Sequence, residues 1–158
     1  MDDKKEVLFS RVFDAPLARV WKAWTDPAEI KKWWGPDNVT IPECEIDLRV
    51  GGRIYIVMEA GEAMGQYKGM LWPMDGTFTA VEPMTKLSYA VHAWTKGAEA
   101  TTQIEQTQEL TFSEEGGKTK MELKVTVVKI GPDAGAAIQG MQYGFNQQFD
   151  KLVAYLAK

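Results

Sequence analysis

The chain holds one histidine, His92, and one cysteine, Cys44. An imidazole can act as a general base when a carboxylate or another polar group orients it, and the sequence sets no such partner beside His92. In the alternating stretch 86–94, Leu87, Tyr89 and Val91 share one face, and His92 shares the other with Trp94. His92 is therefore expected to be structural or exposed. Cys44 stands between Glu43 and Glu45 and is expected to point inward, where a thiol behaves as a small hydrophobe. A nucleophilic role requires an adjacent base, and none is legible. One His and one Cys form no cluster of metal-ligand spacing. Gly51-Gly52 is too short for a phosphate or dinucleotide loop and suits a turn. Asp47 and Arg49, two apart on an expected strand, are read as a structural ion pair with Arg53 or a neighbouring strand. No catalytic residue, metal ligand or cofactor is assigned.

What remains is apolar recognition. Six Trp and eight Met are large rings and flexible thioethers, which together line irregular cavities. The expected lining is Trp33, Tyr55, Trp72, Tyr89, Met141, Phe145 and Phe149. Trp33 and Trp34 are adjacent on a helix, so at most one of them faces the same space. An apolar pocket with few polar groups is the usual form of a small-molecule site.

Those side chains must be held by elements that the periodicity predicts. Residues 6–13 alternate as a strand. Asp14 can cap the next segment and Pro16 suits a first turn, after which Leu17, Val20, Trp21 and Trp24 fall on one helical face. Asp26 caps a second short helix, with Pro27 first and Glu29 where a capping box takes an acid. Gly35-Pro36 stops it. Residues 43–50 alternate as a half-buried strand, with Cys44, Ile46, Leu48 and Val50 inward. Further strands are expected over 53–59, 66–72, 77–82 (after a turn at Asp75-Gly76), 86–94, 104–113 and 120–127, with a loop over 95–103. Ile138, Met141, Phe145, Phe149, Leu152 and Leu156 recur at steps of three or four. They predict one helix over residues 133–157, about 37 Å long at 1.5 Å per residue. Gly140 and Gly144 each weaken it by roughly 1 kcal/mol against Ala; close approach to the sheet is the expected reason, with room for a ligand as the alternative.

The length of 158 residues fits a single domain, residues 1–158. The net charge of -4, with both signs interspersed, argues against a nucleic-acid partner, which requires a basic face. A lone cysteine and a charged start, Met1-Asp2-Asp3-Lys4-Lys5-Glu6, lead to the expectation of a cytoplasmic protein without a leader or a membrane span. A homodimer is compatible with all of this.

Strand, two short helices, a run of strands and a long helix argue for an α+β fold rather than a parallel sheet. A bent antiparallel sheet of about six or seven strands has a concave face, and the apolar stripe of the last helix covers it. Space is left where the curvature is greatest.

The chain resembles the family named for the activator of heat-shock protein 90 ATPase homologue, within the SRPBCC (START-like, Bet v 1-like) superfamily. The matching pieces run almost from end to end. They are Phe13-Asp14-Ala15-Pro16, Val20-Trp21-Lys22-Ala23-Trp24-Thr25-Asp26-Pro27, Lys32-Trp33-Trp34-Gly35-Pro36, Asp47-Leu48-Arg49-Val50-Gly51-Gly52-Arg53, and Gly76-Thr77-Phe78 with Val81-Glu82-Pro83 and Leu87. Trp-Trp-Gly-Pro and Asp-x-Arg-x-Gly-Gly-Arg in this order are specific together. Two features depart from the pattern. Gly144-Phe145 stands where the family often carries Gly-Trp, and residues 64–74 are rich in Met and Trp. The resemblance implies a helix-grip fold with a central cavity. It does not imply one chemistry, because fold does not fix function. The first expectation is binding of a hydrophobic or aromatic small molecule rather than catalysis. An enzyme of cyclase/aromatase or hydrolase type using the same cavity is the alternative. A chaperone regulator is a third, although such regulators carry a further N-terminal domain, which is not expected with the first strand starting near Glu6.

Overall fold

Local chemistry draws the first element boundaries. The Asp26 carboxylate accepts a hydrogen bond from the Ala28 N–H at 2.9 Å, and Pro27 takes the first helical position, where no N–H is needed. In the computed structural model, which describes residues 5–35, 37–94, 96, 104–130 and 135–157, this point separates helix α1 (Leu17–Thr25) from α2 (Pro27–Trp33). The expected Asp14 cap is not made. Pro16 is the N-cap of α1, and the Leu17 N–H donates to the carboxylate of Glu114 across 2.8 Å. Glu29 also leaves its capping-box position. Its carboxylate is drawn to Arg19, Lys22 and the Tyr155 hydroxyl, because a largely buried charge gains more from cations than from one amide.

Strand β1 (Lys5–Phe13) precedes these helices. Strands β2 (Val39–Ile46), β3 (Arg53–Ala60), β4 (Leu71–Glu82), β5 (Lys86–Ala93), β6 (Ile104–Glu115) and β7 (Lys118–Ile130) follow, and helix α3 (Gly135–Leu156) comes last. All seven strands pair antiparallel in one curled sheet of order β1-β7-β6-β5-β4-β3-β2. The return of the last strand to the first, with Val7 opposite Val125 and Phe13 opposite Thr119, makes β1 and β2 the two edges. Pro42, which has no N–H for a ladder, lies on edge strand β2 at a register shift.

Three expectations about element boundaries change. The strand over 43–50 ends at Ile46, and residues 47–52 fold into a loop, so Leu48 and Val50 are exposed rather than inward. Gly51 has φ +84°, and a Cβ on Gly52 would fall 2.1 Å from the Asp47 carbonyl oxygen. The backbone therefore turns before the alternation ends. Asp75-Gly76 is the converse. No turn forms there, and β4 runs through it. A Cβ on Gly76 would lie 2.0 Å from the Ala90 carbonyl, so this glycine permits close strand approach. Upstream, a 3-10 turn (Glu62–Tyr67) and the turn that follows it replace the expected strand over 66–72 as far as residue 70, and β4 begins at Leu71. The loop expected over 95–103 lies almost wholly outside the described residues.

The sheet's concave face buries Ile54, Ile56, Leu87, Tyr89, Leu110, Leu123 and Val125, against which α3 lays Phe149 and Leu152. Each such side chain contributes roughly 1.5–3 kcal/mol on burial. Trp24 meets Trp33 and Trp34 edgewise beside them, with ring centroids 4.7 Å (Trp24–Trp33) and 5.8 Å (Trp24–Trp34) apart. Arg11 on β1 ties the outer side of α3 through Asp150 at 3.0 Å.

Candidate functional site

The site begins where α2 ends. Gly35 has φ +86°, and a Cβ there would strike Val39 Cγ2 at 2.7 Å and Met58 Sδ at 3.0 Å. Only glycine lets the chain turn here, and the turn brings backbone polar groups against α3. The buried Gly35 N–H donates to Gln148 Oε1 at 2.9 Å, and the Asp37 N–H donates to Gln147 Oε1 at 3.0 Å. Lys151 Nζ donates to the carbonyls of Trp34 and Gly35 at 3.2 and 3.3 Å. Burial lowers the Lys151 pKa, although Asp37 counters it. Thus the Trp-Trp-Gly segment is a docking point for the last helix.

Between that docking point and the sheet lies a pocket of about 200 Å³. Trp34 forms one wall. Ile56 and Met58 of β3, Trp72, Pro73 and Met74 of β4, and Ala93 of β5 form the floor. Gly144, Phe145 and Gln148 of α3 close it from above, and Gln106 and Gln108 of β6 complete the far side. No ionisable side chain is among the described lining residues. The volume is below the roughly 300–1,000 Å³ of sites for drug-sized molecules. It exceeds the ~150 Å³ cavity known to admit benzene elsewhere. A one- or two-ring compound matches that size.

Gly144 supplies part of the room. A Cβ on it would meet none of the described residues within 4 Å, so close packing against them is not its role. The surroundings of Gly140 lie outside the described residues.

The expected lining residues separate into layers. Trp72 and Phe145 face the pocket. Trp33 lies in the core behind Trp34, fully buried, with its indole N–H donated to the Ala23 carbonyl at 2.9 Å. Phe149 is also fully buried and backs Phe145 at a centroid distance of 5.8 Å. Tyr89 is buried in the core outside the lining, and its hydroxyl donates to Gln108 Oε1 at 2.6 Å. Burial pushes the Tyr89 pKa far above the ordinary phenol value, so it stays a neutral donor. Tyr55 lies under the Arg53 guanidinium, 4.3 Å from its ring centroid, away from the pocket. The side chain of Met141 is outside those described.

Sequence reasoning missed Trp34 and the three glutamines. Gln106 and Gln108 share the alternation that points Leu110 inward. A polar residue at an inward position was the available signal.

The other candidates stay outside the pocket. His92 stacks on Trp94 with centroids 4.6 Å apart. Cys44 packs partly buried at the core margin, and burial pushes its thiol up to about 11. Asp47 pairs with Arg49 at 2.9 Å, while Arg53 grips Asp75 with two bonds and reaches Glu45 at 3.0 Å. No group of three His, Cys, Asp or Glu is placed to hold a metal among the described residues. No helix among them is long and apolar enough to cross a membrane.

The model of one family, described as activator of Hsp90 ATPase homolog 1-like protein, matches residues 14–157. Solved structures share the fold. A protein from Nitrosomonas europaea superposes with a TM-score of 0.77 at 23% identity, covering 96% of this chain and 94% of that one. One from Mycobacterium smegmatis gives 0.76 at 23% identity, covering 96% and 90%. The AHSA1 protein from Silicibacter pomeroyi gives 0.70 at 22% identity, covering 97% and 98%. No curated protein matches the chain.

Proposed function

The chain belongs to the activator of Hsp90 ATPase homolog 1-like protein family, and on that premise we propose that it binds a small hydrophobic or aromatic molecule between α3 and strands β3 to β6. The observation that carries this function is the combination of an open apolar pocket and an α3 glycine that leaves room in it. A helix interior that keeps a glycine without a packing need accepts roughly 1 kcal/mol of lost stability. Such a cost is characteristic of a site that must stay open.

In this scheme Trp34, Trp72 and Phe145 contact the ligand. Trp33 and Phe149 hold those rings from behind, and Tyr89 acts through Gln108. The described walls offer no acid–base pair, which favours binding over turnover.

Thermal unfolding with a panel of one- and two-ring aromatics and short-chain lipids tests the function. A ligand at 100 times its Kd stabilises the folded state by about 2.7 kcal/mol. Gly144→Leu, which places a side chain in the space, is expected to abolish that shift while the protein stays folded. No stabilisation by any compound, together with a crystal structure in which side chains fill the pocket, would overturn the proposal.

A further inference from the structure

The two edges of the sheet differ. On β2, Pro42 and the exposed Glu43 and Glu45 blunt the edge. β1 has neither proline nor bulge. Its register with β7 is unbroken from Lys5 to Phe13, and no described strand pairs with its other side. Alternate N–H and C=O groups of β1 therefore face away from β7, open to a further strand. On the convex side of this edge, Leu8 is 72% exposed and Val12 59%.

Helix α3 extends the same surface. Asn146 and Asp150 bind Arg11 of β1, so this face of the helix flanks the edge. Tyr143 and Val153 share that face by helical spacing, and both are exposed. Between helix and strand runs a groove of about 300 Å³, lined by Leu8, Phe9, Ser10, Arg11, Asn146 and Phe149.

An extended strand meets such an edge with its own backbone groups, and a second copy of this chain supplies a strand that fits. In a two-fold antiparallel pair, opposed residues share a face, so the axis passes through one residue of β1. An axis at Leu8 leaves Val12 beyond the start of the partner's β1. An axis at Phe9 sets Leu8 against Ser10, and Glu6 against Val12. An axis at Ser10 sets Leu8 against Val12 in both halves and Phe9 against Arg11, whose guanidinium already lies over one ring, that of Phe149. Glu6 then falls opposite Asp14, and Lys124, 3.7 Å from Glu6, offsets that charge. We propose that two copies of this chain join β1 to β1 about an axis at Ser10, with the Tyr143–Val153 faces of both α3 helices on the same side of the joined sheet.

Sedimentation of the wild type from about 10 μM to 1 mM tests for the dimer. Oxidation of Ser10→Cys and Glu6→Cys then tests the register, with the wild type controlling for Cys44. Opposed Cα atoms lie about 4.5–5.5 Å apart, within disulfide reach, so Ser10→Cys is expected to cross-link. The two Glu6 positions would lie about 26 Å apart along the strands, so Glu6→Cys is expected to stay uncross-linked. Leu8→Ser, at an exposed position, removes both Leu8–Val12 pairs and is expected to weaken the dimer roughly 3- to 30-fold. A monomer at every concentration would leave the edge to a strand of another protein and overturn the proposal. A dimer in which Ser10→Cys cross-links no better than Glu6→Cys, or whose affinity Leu8→Ser leaves unchanged, would overturn it equally.

Discussion

Replacing Gly144 by alanine should make the protein more stable and its pocket smaller. The residue lies within α3, is not among the described glycines with positive φ, and a Cβ on it would meet none of the described residues within 4 Å. No steric penalty therefore opposes the intrinsic helix preference of Ala over Gly, about 0.8–1.0 kcal/mol. For a chain of 158 residues such a gain raises the melting temperature by roughly 2–4 °C. Urea unfolding followed by tryptophan fluorescence and far-ultraviolet dichroism measures it, with the midpoint raised and the slope unchanged. The same methyl occupies part of a 200 Å³ pocket, so the larger ligands that stabilise the wild type should bind Gly144→Ala more weakly. A lowered midpoint would refute the account of Gly144, since it would mean that a neighbour occupies the space assigned to the pocket.

Gly35→Ala should destabilise the fold by about 1–3 kcal/mol, because a positive φ and contacts with Val39 and Met58 both oppose a side chain; a chemical denaturation midpoint equal to wild type would contradict this. Asp26→Ala removes the side-chain cap of α2 and should cost about 1 kcal/mol in the same assay, with little loss counting against the cap. Cys44 should titrate late. Burial raises its pKa from 9.0 to about 11, so the folded state holds its proton longer than the unfolded chain does. Its contribution to stability is present in full below pH 9 and is lost as the pH rises through 11. Labelling by a thiol reagent at pH 8 should be slow in the folded protein and fast in urea, and equal rates would refute the burial argument.

Much of the fold was legible because its signals are local and redundant. The alternation of Met121, Leu123, Val125 and Val127 admits only one strand face, and α3 repeats its apolar stripe over five turns. The errors came from glycine. Asp75-Gly76 and Gly51-Gly52 read alike in sequence, yet one lies within a strand and the other closes a loop, because the distinction depends on a neighbouring backbone such as Ala90. The site was less legible than the fold. Trp72 and Phe145 are large apolar residues at positions the periodicity turns inward. Trp33 and Trp34 compete for one direction, and only the docking of Gly35 on Gln148 decides which ring reaches the pocket. Tyr55 shows the same limit, since its ring follows the Arg53 guanidinium, itself fixed by Asp75 from another strand.

The position of a bound ligand tests the pocket most directly. A crystal grown with 4-bromoacetophenone allows the bromine to be located by anomalous scattering. One peak is expected between Trp72 and Phe145, both of which line the pocket. Side chains meeting across the pocket, or bromine found only on the outer surface, would contradict it.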